Sequence, residues 1–399
     1  MATPRFIQVH FLTSYPAVLL NRDDAGLAKR VTYGGATRTR VSSQCLKRHW
    51  RTADDAWAMK HTGADLSVRT RDVFGYAIAP RLRDRLPTLS EDVIVAAGSA
   101  LSVALYGEKA KDLKNRQALL LGWREVDFLT DRLASLLREP LTAEAAAKSV
   151  TALFKEKEEK ANLSVIREVA GSLAAGVEAA LFGRMVTSDP AANTDASVHV
   201  AHAFTVHEQE SETDYFTVVD DLKQLEAAED SGSAGIFDTE LSSGLFYGYV
   251  VIDVPLLVAN VTGVDPSQWN AQTTDRALAA KIVEHLVHLI ATVSPGAKKG
   301  STAPYAWAQA MLIELGARQP RSLASAFERP LRARTGESIS QKAEAALYER
   351  LDAFDRAYGA GEVRACLSLD GHANSGVQGP LSIDALANWT ADAVRDANT

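Results

Sequence analysis

Only two cysteines occur in the 399 residues, Cys45 and Cys366, far apart and outside any CxxC pair. That scarcity argues against a disulfide framework and a cysteine-rich zinc site, and it fits a reduced, cytoplasmic setting. Long apolar runs are also lacking. The longest, VIVAAGSALSVALYG at 93–107, is rich in Ala, interrupted by Gly and Ser, and short of the ~20 residues needed to cross a bilayer, so no membrane span is expected. The opening MATPRFIQVHFLTSYP has no unbroken apolar core of the kind a signal peptide carries; it alternates and reads as a first strand. GxSxG, GxxxxGK[ST] and HExxH are all absent, which removes serine-hydrolase, P-loop and zincin readings. No repeat of fixed period is visible.

What is present is a globular composition, 46% hydrophobic, in a chain too long for one ordinary core, and so two lobes or one domain with a large insertion. RFIQVHFL at 5–12 reads as a half-buried strand, followed by SYPAVLLNRDDAGLAKRVTYGG as a long charged connection. From about 91 to 183, Leu-spaced segments such as REVDFLTDRLASLLRE and SVIREVAGSLAAGVEAALFG predict amphipathic helices. Strand patterns resume at 197–206, 215–219 and 244–254. Helices are expected at 273–292, 340–358 and 381–395, with a short strand at 363–368.

Charge is unevenly spread. The net charge is -7, yet residues 1–51 hold nine Lys or Arg and two acids, a local +7. Overall acidity does not exclude a phosphate ligand when one stripe is this basic. In GGATRTRVSSQCLKRHWR at 34–51, a helix capped by Ser42 or Ser43 gathers Cys45, Leu46, Trp50, Ala53 and Trp57 on a core side. Gln44, Lys47, Arg48 and Arg51 fall on the opposite side, within an arc of about 100°. Before the helix, Arg38 and Arg40 alternate with Thr, led by Gly34 and Gly35, whose missing side chains would let a ligand backbone approach. Together with helix N-terminal N–H groups this forms a candidate phosphate track. The plain alternative is a solvated basic face after a glycine turn.

The run FLTSYPAVLLNRDDAGLAKRVTYGGATRTRVSSQCLKRHWR resembles the N-terminus of the CasC family, the multi-copy backbone subunit of the type I-E Cascade CRISPR surveillance complex. LFGRMVTS at 181–188, VHVAHAFTVHEQESETDYFTVVDDL at 198–222, ELSSGLFYGYV at 240–250 and VHLIATVSPGAKK at 287–299 resemble the same family in the same order. Residues 60–180 and the C-terminal hundred match much more weakly.

The resemblance implies an α+β protein shaped like a hand. An RRM-like, ferredoxin-like palm would occupy 1–62, 184–206 and 244–399, a helical finger insertion 63–183, and a β-hairpin thumb 207–243. It implies a non-enzymatic, RNA-binding scaffold without cofactor or metal. Its partners would be CRISPR guide RNA, a target DNA strand paired to that guide, further copies of the chain and other Cascade subunits, with base pairing rather than protein reading the sequence. Carried over residue by residue, phosphate-tracking positions fall on Arg22, Lys29, Ser42, Gln44, Lys47 and Arg51, with Lys298 and Lys299 ending the last matching stretch. Ala36 stands where some relatives carry Lys, so that contact is lost or passes to Arg38. Met185 takes the stacking position of GRM, and Tyr215, Phe216 and Ile236 the thumb wedge, Tyr215 standing where some relatives carry Trp. Independently, the apolar pair Ile236–Phe237 stands isolated in a polar stretch and needs something to dock against.

His285 and His288, spaced i, i+3, have no third ligand at a motif distance, and a packed or capping role is the simpler reading. His199, His202 and His207 lie on or beside one strand and cannot all converge. The enzymatic alternative is a metal-dependent RNA endonuclease using Asp23 and Asp24, carboxylates that would hold Mg²⁺ and orient a water for in-line attack. Against it stands loop capping, or pairing with Lys29 or Arg30.

Overall fold

A strand at the start of the chain, β1 (Phe6–Val18), runs through the middle of the main sheet of the computed structural model, which describes residues 3–107, 112–155, 171–186, 190–217, 236–372 and 374–397. The remaining strands are β2 (Arg30–Tyr33), β3 (Ala36–Val41), β4 (Ser67–Thr70), β5 (Leu119–Gly122), β6 (Val198–Val200), β7 (Ala203–Thr205), β8 (Glu210–Thr217), β9 (Ile236–Asp253), β10 (Ala310–Gly316), β11 (Val363–Ser368) and β12 (Val377–Gln378). The described helices of six or more residues are α1 (Ser43–Arg51), α2 (Ala79–Arg85), α3 (Glu91–Tyr106), α4 (Trp123–Leu136), α5 (Ala143–Lys155), α6 (Val177–Phe182), α7 (Val254–Thr262), α8 (Ala277–Thr292), α9 (Ile339–Tyr358) and α10 (Ile383–Arg395). The fold is mixed α/β.

The sheet order is β12-β11-β10-β1-β9-β7-β3-β2, antiparallel throughout except for β11 and β12. Strand β9 is its spine: β1 lies along one edge, and β8, β7 and β6 follow one another along the other. Alternation sends Ile7, Val9 and Phe11 of β1 to one face, where α7, α8 and α10 complete an apolar core. Leu12 of β1 and Tyr247 of β9 face the other way, onto Phe327 and α9.

Strand β1 outruns its expected end. It continues through Pro16 to Val18, with its register against β9 shifting between Tyr15 and Val18 and Ala17 at φ 47°. A proline lacks the N–H that an ordinary ladder position needs, so it sits where the pairing bulges. The expected strand 197–206 is likewise two pieces: five residues from Val200 to Phe204 face four from Val250 to Tyr247, one extra residue that ends β6 and restarts β7.

Helices α2 to α5 carry a second core around Leu82, Ile94, Leu101, Leu121, Leu129 and Leu133. This region is not purely helical, because β4 and β5 pair there as a separate two-stranded ladder. The helix expected over 164–183 is described only from residue 171 on. There Gly171, Gly176 and Gly183, all at positive φ, confine it to a 3₁₀ turn and the six-residue α6. No described helix is long and apolar enough to cross a membrane.

Candidate nucleic-acid interface

Glycine builds the approach to α1, though not as a ligand-facing loop. Gly34 and Gly35 both have positive φ, as a tight two-residue turn between β2 and β3 requires. A Cβ on Gly34 would stand 1.5 Å from the Glu328 carbonyl oxygen, so the close neighbour is the chain's own backbone. Arg38 confirms that this hairpin docks inward and must be withdrawn from the phosphate track. It is fully buried, and its guanidinium donates to the carbonyls of Thr205 (2.8 Å), His207 (3.4 Å), Phe327 (3.0 Å) and Glu328 (3.3 Å). Burial lowers its pKa. Arg40, by contrast, reaches the surface. It donates from Nε to the Arg30 carbonyl at 3.0 Å and from Nη1 to Nδ1 of His202 at 2.9 Å, which requires that nitrogen to be unprotonated. Burial first, then Arg40 and Lys29, lower the His202 pKa.

Helix α1 forms where its caps and two faces predict. Ser42 is buried at the N-cap, accepting from the Cys45 N–H, and Leu46 and Trp50 sink into the core. The structure thus gives Ser42 a capping role inside the fold. Gln44 and Arg48 are exposed, Lys47 and Arg51 half-buried. Lys47 lies over the Phe182 ring at 5.8 Å. Burial lowers the pKa of Lys47, and burial followed by the neighbouring Arg69 lowers that of Arg51, with Arg48 adding to the effect and Glu178 opposing it. Lys299 and Arg48 likewise depress His49, after its burial. Among the described residues, no carboxylate forms an ion pair with Lys29, Arg40, Lys47, Arg48, Arg51, Lys298 or Lys299. Several of them act on one another's surroundings, Arg48 on Arg51, and Lys299 and Arg48 on His49.

The loop before β2 is closed on itself. The Arg22–Ala28 bridge and the Lys29 N–H to Asn21 carbonyl bond (2.9 Å) shut it, and the Asn21 side chain accepts the Ser42 N–H at 2.9 Å, tying the loop to the start of α1. Asp23 caps it, its Oδ1 accepting the N–H groups of Ala25 (2.9 Å) and Leu27 (3.0 Å); Asp24 and Arg22 are exposed. Arg30 pairs with Glu240, whose other oxygen accepts the Ala28 N–H at 2.8 Å.

Strand β8 and the first half of β9 form a hairpin in unbroken register from Glu210–Ser243 to Thr217–Ile236. The three expected wedge residues do not share a face. Neighbours on a strand point oppositely, so the exposed Tyr215 is on one side. Phe216 stacks on the directly opposite Phe237 on the other, rings 5.6 Å apart. The side chain of Ile236 lies outside the described set, although its backbone pairs with Thr217. Lys298 reaches the Phe216 side: its Nζ bonds Thr239 and lies 5.8 Å from the Phe216 ring. Lys298 and Lys299, at the start of a short helix (Lys299–Thr302), thus lie between the hairpin and, through His49, α1. Sequence reading did not assign Phe237, Asn21 or Arg69 a place in this site; Phe237 had a signal, an apolar residue isolated in a polar stretch.

Met185 projects into solvent, 65% exposed, because its neighbour is locked down. Arg184 is buried, with both Glu125 carboxylate oxygens 2.7 Å from Nη1 and two further bonds to the Ala192 carbonyl. His285 bonds the Trp57 carbonyl at 2.9 Å, and His288 stacks flat on the Trp57 ring at 3.5 Å, a packing role for both. Among the described residues no three of His, Cys, Asp or Glu gather as metal ligands would.

Comparison with known proteins places this surface in context. A family model described as CT1975-like protein matches residues 7–389. One solved chain, from a "CRISPR RNA-guided surveillance complex, pre-nicking", is 28% identical with a TM-score of 0.75, covering 98% of this chain and 100% of its own. A second, from a "CRISPR RNA-guided surveillance complex", is 24% identical with a TM-score of 0.65, over 97% of this chain and 99% of its own, and speaks for the fold. No curated protein matches.

Proposed function

Because this chain belongs to the CT1975-like family of Cas proteins, we propose that it is the backbone subunit of a type I-E Cascade. In this reading it is an RNA-binding scaffold whose copies line up along a CRISPR guide RNA in the cytoplasm and present it to a target DNA strand. The main sheet with its flanking helices serves as the RRM-like palm, the α2–α5 region as the finger, and the β8–β9 hairpin as the thumb. One observation carries the proposal: Lys29, Arg40, Lys47, Arg48, Arg51, Lys298 and Lys299 share a surface in the described structure with no carboxylate paired to them. A polyanion would relieve that repulsion, reading backbone and leaving bases free. Arg22 and Gln44 extend the same surface. Met185 and Tyr215 offer exposed side chains against which bases stack or spread. We place no bond-breaking step on this chain; Asp23 caps its own loop through Oδ1.

The test is the salt dependence of single-stranded RNA binding by the purified chain. Lys47→Ala with Arg51→Ala should weaken every sequence alike and reduce the log–log slope by about 1.4, two contacts at ~0.7 each. An unchanged slope in the double variant would sink the proposal. Bound RNA cut only with divalent metal, and spared by Asp23→Ala with Asp24→Ala, would establish the nuclease reading instead.

A further inference from the structure

Residues 294–309, SPGAKKGSTAPYAWAQ, join α8 to β10 and contain two lysines and no carboxylate. The segment is held from within. Ser294 Oγ accepts the Ala306 N–H at 2.9 Å and donates to the Ala306 carbonyl at 2.8 Å, the Ala297 N–H donates to Leu19, and the Ala308 N–H to Ala291. Ala306 packs on the core and Ala308 is buried. Strand-like alternation then turns Tyr305 and Trp307 outward together, about 7 Å apart along the backbone. Each is 73% exposed. Two large rings left in water beside each other call for an occupant.

We propose that Tyr305 and Trp307 form a stacking platform for unpaired bases of a single nucleic-acid strand whose phosphates Lys298 and Lys299 hold. The loop's charge selects that occupant: it is cationic and acid-free, and its lysines adjoin the basic face of α1 through His49 and the hairpin through Phe216. Rings at alternate positions match the reach of an extended strand, and base stacking on them needs no particular sequence. The inference rests on the RNA-binding reading above. It adds a second row of contacts, made to bases, beside the phosphate track.

Two strands with this chemistry are available to such a complex, RNA of the guide type and displaced DNA, and the experiment separates them. The full chain is titrated with oligouridine, oligothymidine and an abasic strand of equal length. Tyr305→Ala and Trp307→Ala should each weaken binding to a base-bearing strand about fivefold or more, leave the abasic strand unaffected, and keep the salt slope. Trp307→Phe should restore most of the loss. A loss confined to oligouridine or to oligothymidine names the strand the platform serves. Affinity unchanged from the parent for every strand, or the same loss on the abasic strand, overturns the inference. So does a loss of self-association in sedimentation with strand binding intact, which would mean that the rings meet a second copy. A normal salt response of the Lys47/Arg51 variant refutes the phosphate track, whereas a Tyr305 or Trp307 substitution whose effect does not depend on the presence of bases refutes only the platform.

Discussion

Two groups of cations in this chain meet opposite circumstances. On the α9 side of the sheet, Glu314 sits fully buried between Arg321, Arg364 and His10. Arg364 goes on to Asp355 and Glu362. Every charge there has an opposite charge in contact. On the α1 side, among the described residues, lysines and arginines gather without a carboxylate in ion-pair contact, and burial first of all depresses the pKa values of Lys47 and Arg51. Complete internal pairing is what a structural network requires, because a buried unmatched ion is costly. Charges that the fold leaves unmatched and half-exposed are suited to a ligand from outside.

The sharpest way to break this comparison is Glu314→Gln. It strands Arg321 and Arg364, and urea denaturation should show a loss of about 3–5 kcal/mol, with RNA affinity per folded molecule unchanged. A loss below about 1 kcal/mol would mean that the network is ornamental. Arg38→Ala tests a third case, a buried cation bonded only to carbonyls. Freeing several of them should cost about 3 kcal/mol, read by the same titration, and Arg38→Lys should rescue little because an ammonium lacks the fork.

Acidification comes next in size. His10 has its pKa lowered from 6.5 by burial, against the pull of Glu314. The unfolded chain therefore binds this proton more readily, so the contribution of His10 is complete above about pH 6.5 and is lost as pH falls. Burial would raise Glu314, but bonds from Arg321 and His10 hold it well below its usual 4.5, adding a second loss below that pH. Unfolding free energy should fall by up to about 1.4 kcal/mol per pH unit for each group. His10→Gln should flatten the profile between neutrality and about pH 5. A profile identical to that of the parent would refute the assignment. The smallest effect belongs to the other side: Lys47→Ala with Arg51→Ala should move stability by no more than ~0.5 kcal/mol, while the RNA salt slope changes as described.

What the sequence made legible was local. The two faces of α1 follow from the spacing of Leu46, Trp50, Lys47 and Arg51, all within nine residues of one helix. Arg38 could not be placed, because alternation pairs it with Arg40 while the carbonyls that bury it lie 167 and 289 residues away. Pro16 and the glycines at 171, 176 and 183 were misjudged for related reasons: a bulge in β1 admitted the first, and periodicity over 164–183 outweighed the second. Tyr215 and Phe216 were grouped by motif, yet strand geometry sends them apart. The basic face of α1 was readable from charge; the Tyr305 and Trp307 pair was not, since only the inward turn of Ala306 shows that both rings point out.

Strand β9 spans 18 residues without interruption, about 60 Å at strand rise, half of it in the sheet and half in the hairpin. The described part of the hairpin is therefore a cantilever: it is carried by the same covalent strand that is clamped against β1, and its length is set by residue count, with β9 unbroken among the described residues. Shortening both arms by two residues would draw the tip in by about 7 Å with the same side chains facing the same way, whereas shortening by one would turn Tyr215 to the side that Phe216 now occupies. In the array proposed above, that arm would act as a ruler whose interval could be retuned only in steps of two residues.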